Sequence, residues 1–95
     1  MKMKKKIEIL PLSDYYVVVV KDKDTSELLE TFTLNESGAD MLKLFCQNKS
    51  ENEVAEEIAT LYDTPLDVIK PDIHRFANHL RKKGIITDTH KINQY

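Results

Sequence analysis

Residues 64–86 have the sequence TPLDVIKPDIHRFANHLRKKGII, which contains the start, the apolar face and the end of one long helix. Thr64-Pro65-Leu66-Asp67 is typical of a helix start, with proline at the first helical position. Apolar residues recur at helical spacing, namely Leu66, Ile69, Ile73, Phe76 and Leu80. Gly84 then ends the helix in the left-handed conformation. The pattern predicts a helix over residues 65–83, with either a kink at Pro71 or a start nearer Asp67.

A helix over residues 36–47 is predicted from its N-cap and its apolar face. Asn35 is a good N-cap because its side-chain oxygen can accept a hydrogen bond from the first turn. The residues expected to face inward are Leu42, Phe45 and Cys46. Because no basic residue near Cys46 lowers the pKa of its thiol, we expect a buried structural thiol rather than a nucleophile.

A second helix is predicted over residues 51–62. Ser50-Glu51-Asn52-Glu53 is a capping box, in which the Ser50 hydroxyl accepts from the Glu53 N–H while the Glu53 side chain accepts from the Ser50 N–H. The buried face is expected to contain Val54, Ile58 and Leu61. The exposed face is expected to be a solvated acidic surface of Glu51, Glu53, Glu56 and Glu57.

Three strands are predicted before these helices, over residues 4–10, 15–21 and 28–34. Pro11 is expected to end the first strand, and Ser13-Asp14 to form the turn that follows. Three consecutive strands joined by short turns make an antiparallel meander, which leaves the third strand at an edge with unpaired backbone N–H and C=O groups. That edge is the first candidate site.

The second strand contains Tyr15-Tyr16-Val17-Val18-Val19-Val20, so both of its faces are apolar. A sheet covered by helices on one side needs only one apolar face. The other face is therefore expected to meet the side chains of a neighbouring strand, a second subunit or a ligand.

The predicted fold class is α+β: an N-terminal three-stranded antiparallel sheet followed by a three-helix winged helix-turn-helix unit. Ninety-five residues are too few for two independent cores, so we expect one domain over residues 1–95. Residues 85–87 are expected to form a short wing strand, and residues 90–95 a frayed end.

The composition is that of a globular protein, with 41% hydrophobic and 32% charged residues. A single cysteine makes no internal disulfide, which fits a reducing compartment. The lysine-rich start at residues 1–6 is followed by a segment too short and too charged for a signal peptide. No apolar run approaches the roughly 20 residues needed to span a bilayer. These features predict a cytoplasmic protein that has no membrane segment.

Catalytic, metal-binding and cofactor-binding patterns are lacking in the sequence. His74 and His79 are five residues apart and do not share a helix face as two metal ligands would. Neither of the two glycines lies in a phosphate-binding motif. Asp72 and Arg75 are expected to form a surface ion pair. We therefore predict a protein that is not an enzyme and holds no cofactor or metal.

Two binding functions and one structural function remain. The helix–turn–helix of residues 50–83 resembles a DNA-binding unit with Arg75, Arg81, Lys82 and Lys83 available. However, residues 8–63 carry four lysines against thirteen Asp and Glu, which opposes contact with phosphates and makes nucleic acid the weaker alternative. An extended peptide added to the third strand is the second possibility. A homodimer joined through the outward face of residues 15–20 is the third.

Three groups of residues carry a resemblance to a known family: Phe32-Thr33-Leu34-Asn35-Glu36-Ser37-Gly38; Glu53-Val54-Ala55-Glu56-Glu57-Ile58-Ala59 with Tyr62; and Ile69, Asp72-Ile73, Phe76, Leu80 and Gly84-Ile85-Ile86. Over roughly residues 5–87 the sequence resembles the PqqD-like family, whose members are also called RiPP recognition elements. The resemblance implies a non-catalytic peptide chaperone that binds the leader of a ribosomally made precursor peptide. The chaperone presents that leader to a modifying enzyme, often a radical-SAM protein.

The resemblance also implies where the leader binds. In relatives it lies as an added strand against the third strand, in a groove shared with the third helix. The corresponding peptide-binding residues here are Leu29, Glu30, Thr31, Phe32 and Thr33 on the strand, and Ile69, Ile73, Phe76, Ala77 and Leu80 on the helix.

Overall fold

A three-stranded antiparallel sheet is followed by three helices, which confirms the predicted α+β arrangement. The structure is a computed structural model that describes residues 2, 3 and 5–87. Its elements are β1 (Lys2–Met3), β2 (Lys6–Leu12), β3 (Tyr15–Lys21), β4 (Leu28–Leu34), α1 (Glu36–Cys46), α2 (Glu51–Leu61), α3 (Leu66–Lys82) and β5 (Ile86–Thr87). The strand order of the larger sheet is β2-β3-β4, so β4 is an edge strand as predicted.

Pro11 does not end the first strand, contrary to the prediction. β2 continues to Leu12, which pairs with Tyr15 across a two-residue turn. In a turn of this kind the N–H of the fourth residue, Tyr15, bonds the C=O of the first residue, Leu12. Bonded and non-bonded pairs alternate along an antiparallel ladder, so the next pair, Pro11 with Tyr16, is a non-hydrogen-bonded pair. The nitrogen of Pro11 therefore points to the outer edge of β2, where a missing N–H breaks no bond within the sheet.

The predicted wing strand is present as β5. It pairs antiparallel with β1, with Lys2 opposite Thr87 and Met3 opposite Ile86. β1 was not predicted, because two residues in a lysine-rich run carry no alternation. The predicted fraying of residues 90–95 falls outside the described residues.

The core lies between the sheet and the helices. Its largest fully buried side chains are Phe45, Leu42, Ile58, Ile73, Leu80, Ile85, Val18, Val20 and Val54. The outward residues Val17 and Val19 of β3 are half-buried between the cross-strand neighbours Leu10 and Glu8 on β2 and Thr33 and Thr31 on β4. The inner face of β3 thus packs in the core, and its outer residues Val17 and Val19 are half-covered by side chains of β2 and β4.

Two residues predicted to be buried are exposed. Cys46 is the last residue of α1 and lies at the surface, although the surrounding atoms raise the pKa of its thiol through desolvation. Leu61 is 63% exposed. It lines a cleft with a volume of about 540 Å³ between α1 and α2 and is not part of the core. Cys46 is the last residue of α1, next to the buried Phe45, and Leu61 is the last residue of α2, three positions after the buried Ile58.

The start of α3 differs from the prediction. Pro65 is the N-cap, with ψ of 141°, and makes no side-chain cap bond, so helical geometry begins at Leu66. The Thr64 hydroxyl donates to the carbonyl oxygen of Tyr62 at 3.1 Å instead of capping the helix. The helix continues through Pro71 to Lys82.

The end of α3 is as predicted. Gly84 has φ of +71°, its N–H donates to Arg81 O at 2.9 Å, and the Ile85 N–H donates to Leu80 O at 2.9 Å. These two bonds define a Schellman motif, which fixes the backbone around Lys83.

The capping box of α2 supplies a test of helix stability. Ser50 N–H donates to Glu53 Oε1 at 2.9 Å, and Glu53 N–H donates to Ser50 Oγ at 3.2 Å. We expect Ser50→Ala to lower the free energy of unfolding by about 1 kcal/mol in urea denaturation. The control Thr60→Ala, on the exposed side of the same helix, is expected to change it by less than about 0.5 kcal/mol. Equal effects of the two substitutions would contradict the role of the cap.

The same motif is pH-sensitive. The Ser50 backbone N–H, followed by its hydroxyl, lowers the pKa of Glu53 below its ordinary value of 4.5. The contribution of the ionised carboxylate is therefore complete above pH 4.5 and is lost as the pH falls through the lower pKa of the folded state. Glu53→Gln should remove this part of the acid destabilisation.

Candidate functional site

The free edge of β4 presents backbone groups of two residues. Because Leu12 and Tyr15 are a bonded pair, alternate β3 residues beginning at Tyr16 direct their backbone groups towards β4. Their partners on β4 are Leu34, Phe32 and Glu30. Thr31 and Thr33, which lie between these partners, direct their N–H and C=O groups away from β3. Among the described residues, no strand pairs with that side of β4.

The outer edge of β2 is also unpaired among residues 2, 3 and 5–87, but it is a poorer template. By the same alternation, Ile7, Ile9 and Pro11 point their backbone groups outward there. Pro11 has no N–H, so a strand added at this edge would lose the ladder bond at the turn end of β2. On β4, both outward residues between the bonded partners, Thr31 and Thr33, keep their N–H groups.

The two faces of β4 differ in character. Phe32 and Leu34 point to the helices and pack partly buried against the core, whereas Thr31 and Thr33 are exposed on the outer face. The register shifts between Glu30 and Leu28, so that the exposed Leu29 is the extra residue of a β-bulge. The side chains of a strand added to β4 would alternate between the same two faces, one towards the helices and one on the outer side of the sheet.

The predicted helix residues are placed mainly in the core. Ile73, Ala77 and Leu80 are fully buried, and Ile69 is nearly so. Phe76 is half-buried, with its ring centroid 6.4 Å from that of Phe45. Four of the five predicted helix residues are therefore covered by the chain itself, and Phe76 is the one that is partly exposed. Contact of any of the ten predicted residues with a peptide stays a prediction.

Lys83 contacts β4, although the sequence predicted it only as a residue available for DNA contact. Its Nζ donates to Glu30 Oε2 at 2.8 Å and lies 4.6 Å from the centroid of the Phe32 ring. It follows Phe76 by seven residues, or about two helical turns, so the two lie on the same face of the helix. That spacing was the available signal, but the partner Glu30 is 53 residues away in sequence.

The basic residues considered for DNA contact are largely engaged within the chain. Arg75 pairs with Asp72, as predicted, and Arg81 donates to Glu51 and Asn78. Glu51 was expected on a solvated acidic face. It is instead partly buried between α2 and α3, where it also contacts His74 at 2.9 Å. These ion pairs leave fewer basic groups for phosphates than the sequence suggests.

The described part of the chain has neither a metal-ligating cluster nor a membrane-spanning helix. Within residues 2, 3 and 5–87, no group of three or more His, Cys, Asp and Glu side chains is arranged to hold a metal ion. In the same residues, no helix combines the length and the apolar character needed to cross a bilayer.

A small sheet followed by three helices is the element order of a winged-helix domain. Among the described residues, the β4 edge of that sheet is unpaired. Residues 17–86 match the family described as Coenzyme PQQ synthesis protein D (PqqD), and the chain belongs to this family. The matched residues include β4, α3 and Lys83.

The chain also resembles a solved structure in fold. The fold is similar to a solved structure described as TbiB1 in complex with the TbiA(beta) leader peptide, with a TM-score of 0.68 and 20% identity, over 93% of this chain and 100% of the other. No curated protein matches the chain in sequence. At that level of identity, the similarity to TbiB1 establishes a shared fold.

Proposed function

We propose that this chain is a non-catalytic carrier that binds the leader of a ribosomally synthesised precursor peptide as an added strand on β4. The observation that carries the proposal is the open edge at Thr31 and Thr33 beside the half-buried Phe32. Membership of the PqqD family supports it, as does the leader peptide in the complex of the similar protein TbiB1.

Binding would combine backbone and side-chain terms. Each ladder bond to Thr31 or Thr33 contributes on the order of 1 kcal/mol net. Alternate leader side chains enter the groove between β4 and α3, where apolar residues pack on Phe32 and Phe76. The remaining side chains lie on the outer face beside Thr31 and Thr33.

The bound leader would be presented to a modifying enzyme in the cytoplasm, for which a radical-SAM protein is our first candidate. The carrier needs no cofactor for this role, because an edge strand and an apolar groove are sufficient to hold an extended peptide. With the leader bound to the carrier, the part of the precursor that follows it would stay close to the enzyme and free to enter its active site.

Amide hydrogen exchange tests the proposal directly. The probe is a synthetic peptide with the N-terminal leader sequence of a precursor encoded beside this chain. We expect its addition to slow exchange at Thr31 and Thr33, while Glu30 and Phe32, already bonded to β3, change little. Ile7 and Ile9, on the outer edge of β2, serve as controls that should not change.

Two outcomes would overturn the proposal. One is unchanged exchange at Thr31 and Thr33 with peptide in excess. The other is protection at Ile7 and Ile9 instead. Salt-sensitive binding of random duplex DNA, with no response to the peptide, would favour the nucleic-acid alternative.

A further inference from the structure

The side chain of Lys83 is held between the end of α3 and β4. Its backbone lies in the Schellman motif that closes α3, and its carbonyl oxygen accepts a hydrogen bond from Lys5 Nζ at 3.2 Å. The side chain is only 22% exposed. The ammonium is therefore positioned by the fold rather than free to sample the solvent.

This ammonium lies against two consecutive inward positions of β4. It bonds the Glu30 carboxylate at 2.8 Å and faces the Phe32 ring at 4.6 Å. Glu30 and Phe32 pair with the fully buried Val20 and Val18, which places both on the helical side of the sheet. An ammonium carries three donor hydrogens, so Glu30 does not use all of its capacity.

The register of an added strand brings a guest side chain to this ammonium. Directly opposed residues on neighbouring strands have Cβ atoms about 4.5–5.5 Å apart. One inward guest residue would therefore lie beside Phe32 and pack on its ring. The next inward residue, two positions away, would lie beside Glu30, within reach of the Lys83 ammonium.

The local charge favours an acidic guest residue at that second position. Lys5 and Lys83 meet at the end of α3, where the Lys5 ammonium donates to the Lys83 carbonyl oxygen, and Glu30 is the acid bonded to Lys83. Asp22 interacts with Lys5 electrostatically, but its carboxylate accepts hydrogen bonds from the N–H groups of Asp24 and Thr25 in its own loop. A guest carboxylate would meet an excess of positive charge, and a guest lysine would be repelled.

We infer that Lys83 is a specificity-determining residue: it recognises an Asp or Glu of the leader, two positions from the apolar residue that packs on Phe32. The inference rests on the proposed function and deepens it. It assigns the leader a chemical pattern, an acid and an apolar anchor on the same face of an extended strand.

A titration with charge-neutralised peptides tests this pairing. Fluorescein-labelled peptides carry the leader of the neighbouring precursor, with each Asp or Glu replaced in turn by Asn or Gln. We expect one replacement to weaken binding to the unmodified chain about fivefold to tenfold. Lys83→Met, which keeps the aliphatic packing on Phe32, should weaken binding of the unmodified peptide equally and abolish the effect of that replacement.

Two further variants sharpen the test. Lys82→Met makes the same change of charge at the exposed neighbouring position and is expected to change affinity less than about twofold. Lys83→Arg keeps the charge and should retain the preference for the acidic peptide. The acid-dependent part of the affinity should also shrink as sodium chloride rises from 50 to 500 mM, which requires no variant.

The outcomes separate this inference from the function on which it rests. Equal binding of all neutralised peptides, or an acid preference that persists in Lys83→Met, overturns the role of Lys83 and leaves strand addition intact. A leader that lacks Asp and Glu and still binds overturns it too. Failure of the unmodified peptide to bind the unmodified chain overturns the proposed function and this inference together.

Discussion

Thr31→Pro is expected to weaken leader binding by about 30-fold to 160-fold while leaving the chain folded. Proline removes the N–H that Thr31 directs to the open edge, and its ring occupies the space where the guest strand would approach. Loss of two to three ladder bonds of about 1 kcal/mol each gives this range. Fluorescence polarisation with the labelled leader measures it.

The fold should survive because the Thr31 N–H makes no bond to β3, and proline is tolerated at the edge of a sheet. Thr31→Ala, which keeps the N–H, is the matched control and should bind within about twofold of the unmodified chain. Phe32→Pro is the opposite control, because the Phe32 N–H is directed at β3 and its loss should destabilise the sheet. Unchanged affinity in Thr31→Pro would exclude strand addition on β4.

Leu80→Ala is expected to lower the free energy of unfolding by about 2–5 kcal/mol. Leu80 is fully buried in α3, so the truncation leaves a cavity and loses the transfer energy of its side chain. A chain of this size has a total stability of roughly 5–14 kcal/mol, so the loss is a large part of it. Urea denaturation followed by circular dichroism gives the value.

The same variant distinguishes a core role from direct contact with the leader. With its side chain covered by protein atoms, Leu80 should leave the affinity of the folded fraction within about threefold, measured at low temperature. His79→Ala, at the exposed neighbouring position, should change the stability by less than about 0.5 kcal/mol. A loss of affinity above tenfold in a still-folded Leu80→Ala would show that the leader reaches this position, as the family resemblance implies.

The features predicted correctly from sequence depend on local interactions. The Asn35 N-cap, the Ser50–Glu53 capping box and the Gly84 helix end each involve groups within a few residues of one another. The order of strands followed from short turns between them. Local patterns of this kind fix where elements begin and which face of each is apolar.

The errors and omissions have non-local causes. An apolar stripe on α3 does not distinguish residues that touch the core from residues that line a groove, so Ile73 and Phe76 looked alike in sequence. Pro11 fits inside a strand because its nitrogen points away from the neighbouring strand. The pairing register of β2 and β3 decides that direction, and the sequence around Pro11 does not reveal the register. The contact between Glu30 and Lys83 joins elements 53 residues apart and becomes visible only when the sheet and α3 are placed together.

The unequal edges of the sheet have a consequence for self-association. Since Pro11 shortens the hydrogen-bonding edge of β2, a second copy of this chain would pair more readily with β4, and a symmetric pair joined in this way would have used the β4 edge of both copies. Growth of such an assembly would stop at two molecules instead of continuing into a fibre. A bound leader would occupy the same margin, so precursor peptide and a second copy of the chain would compete for β4.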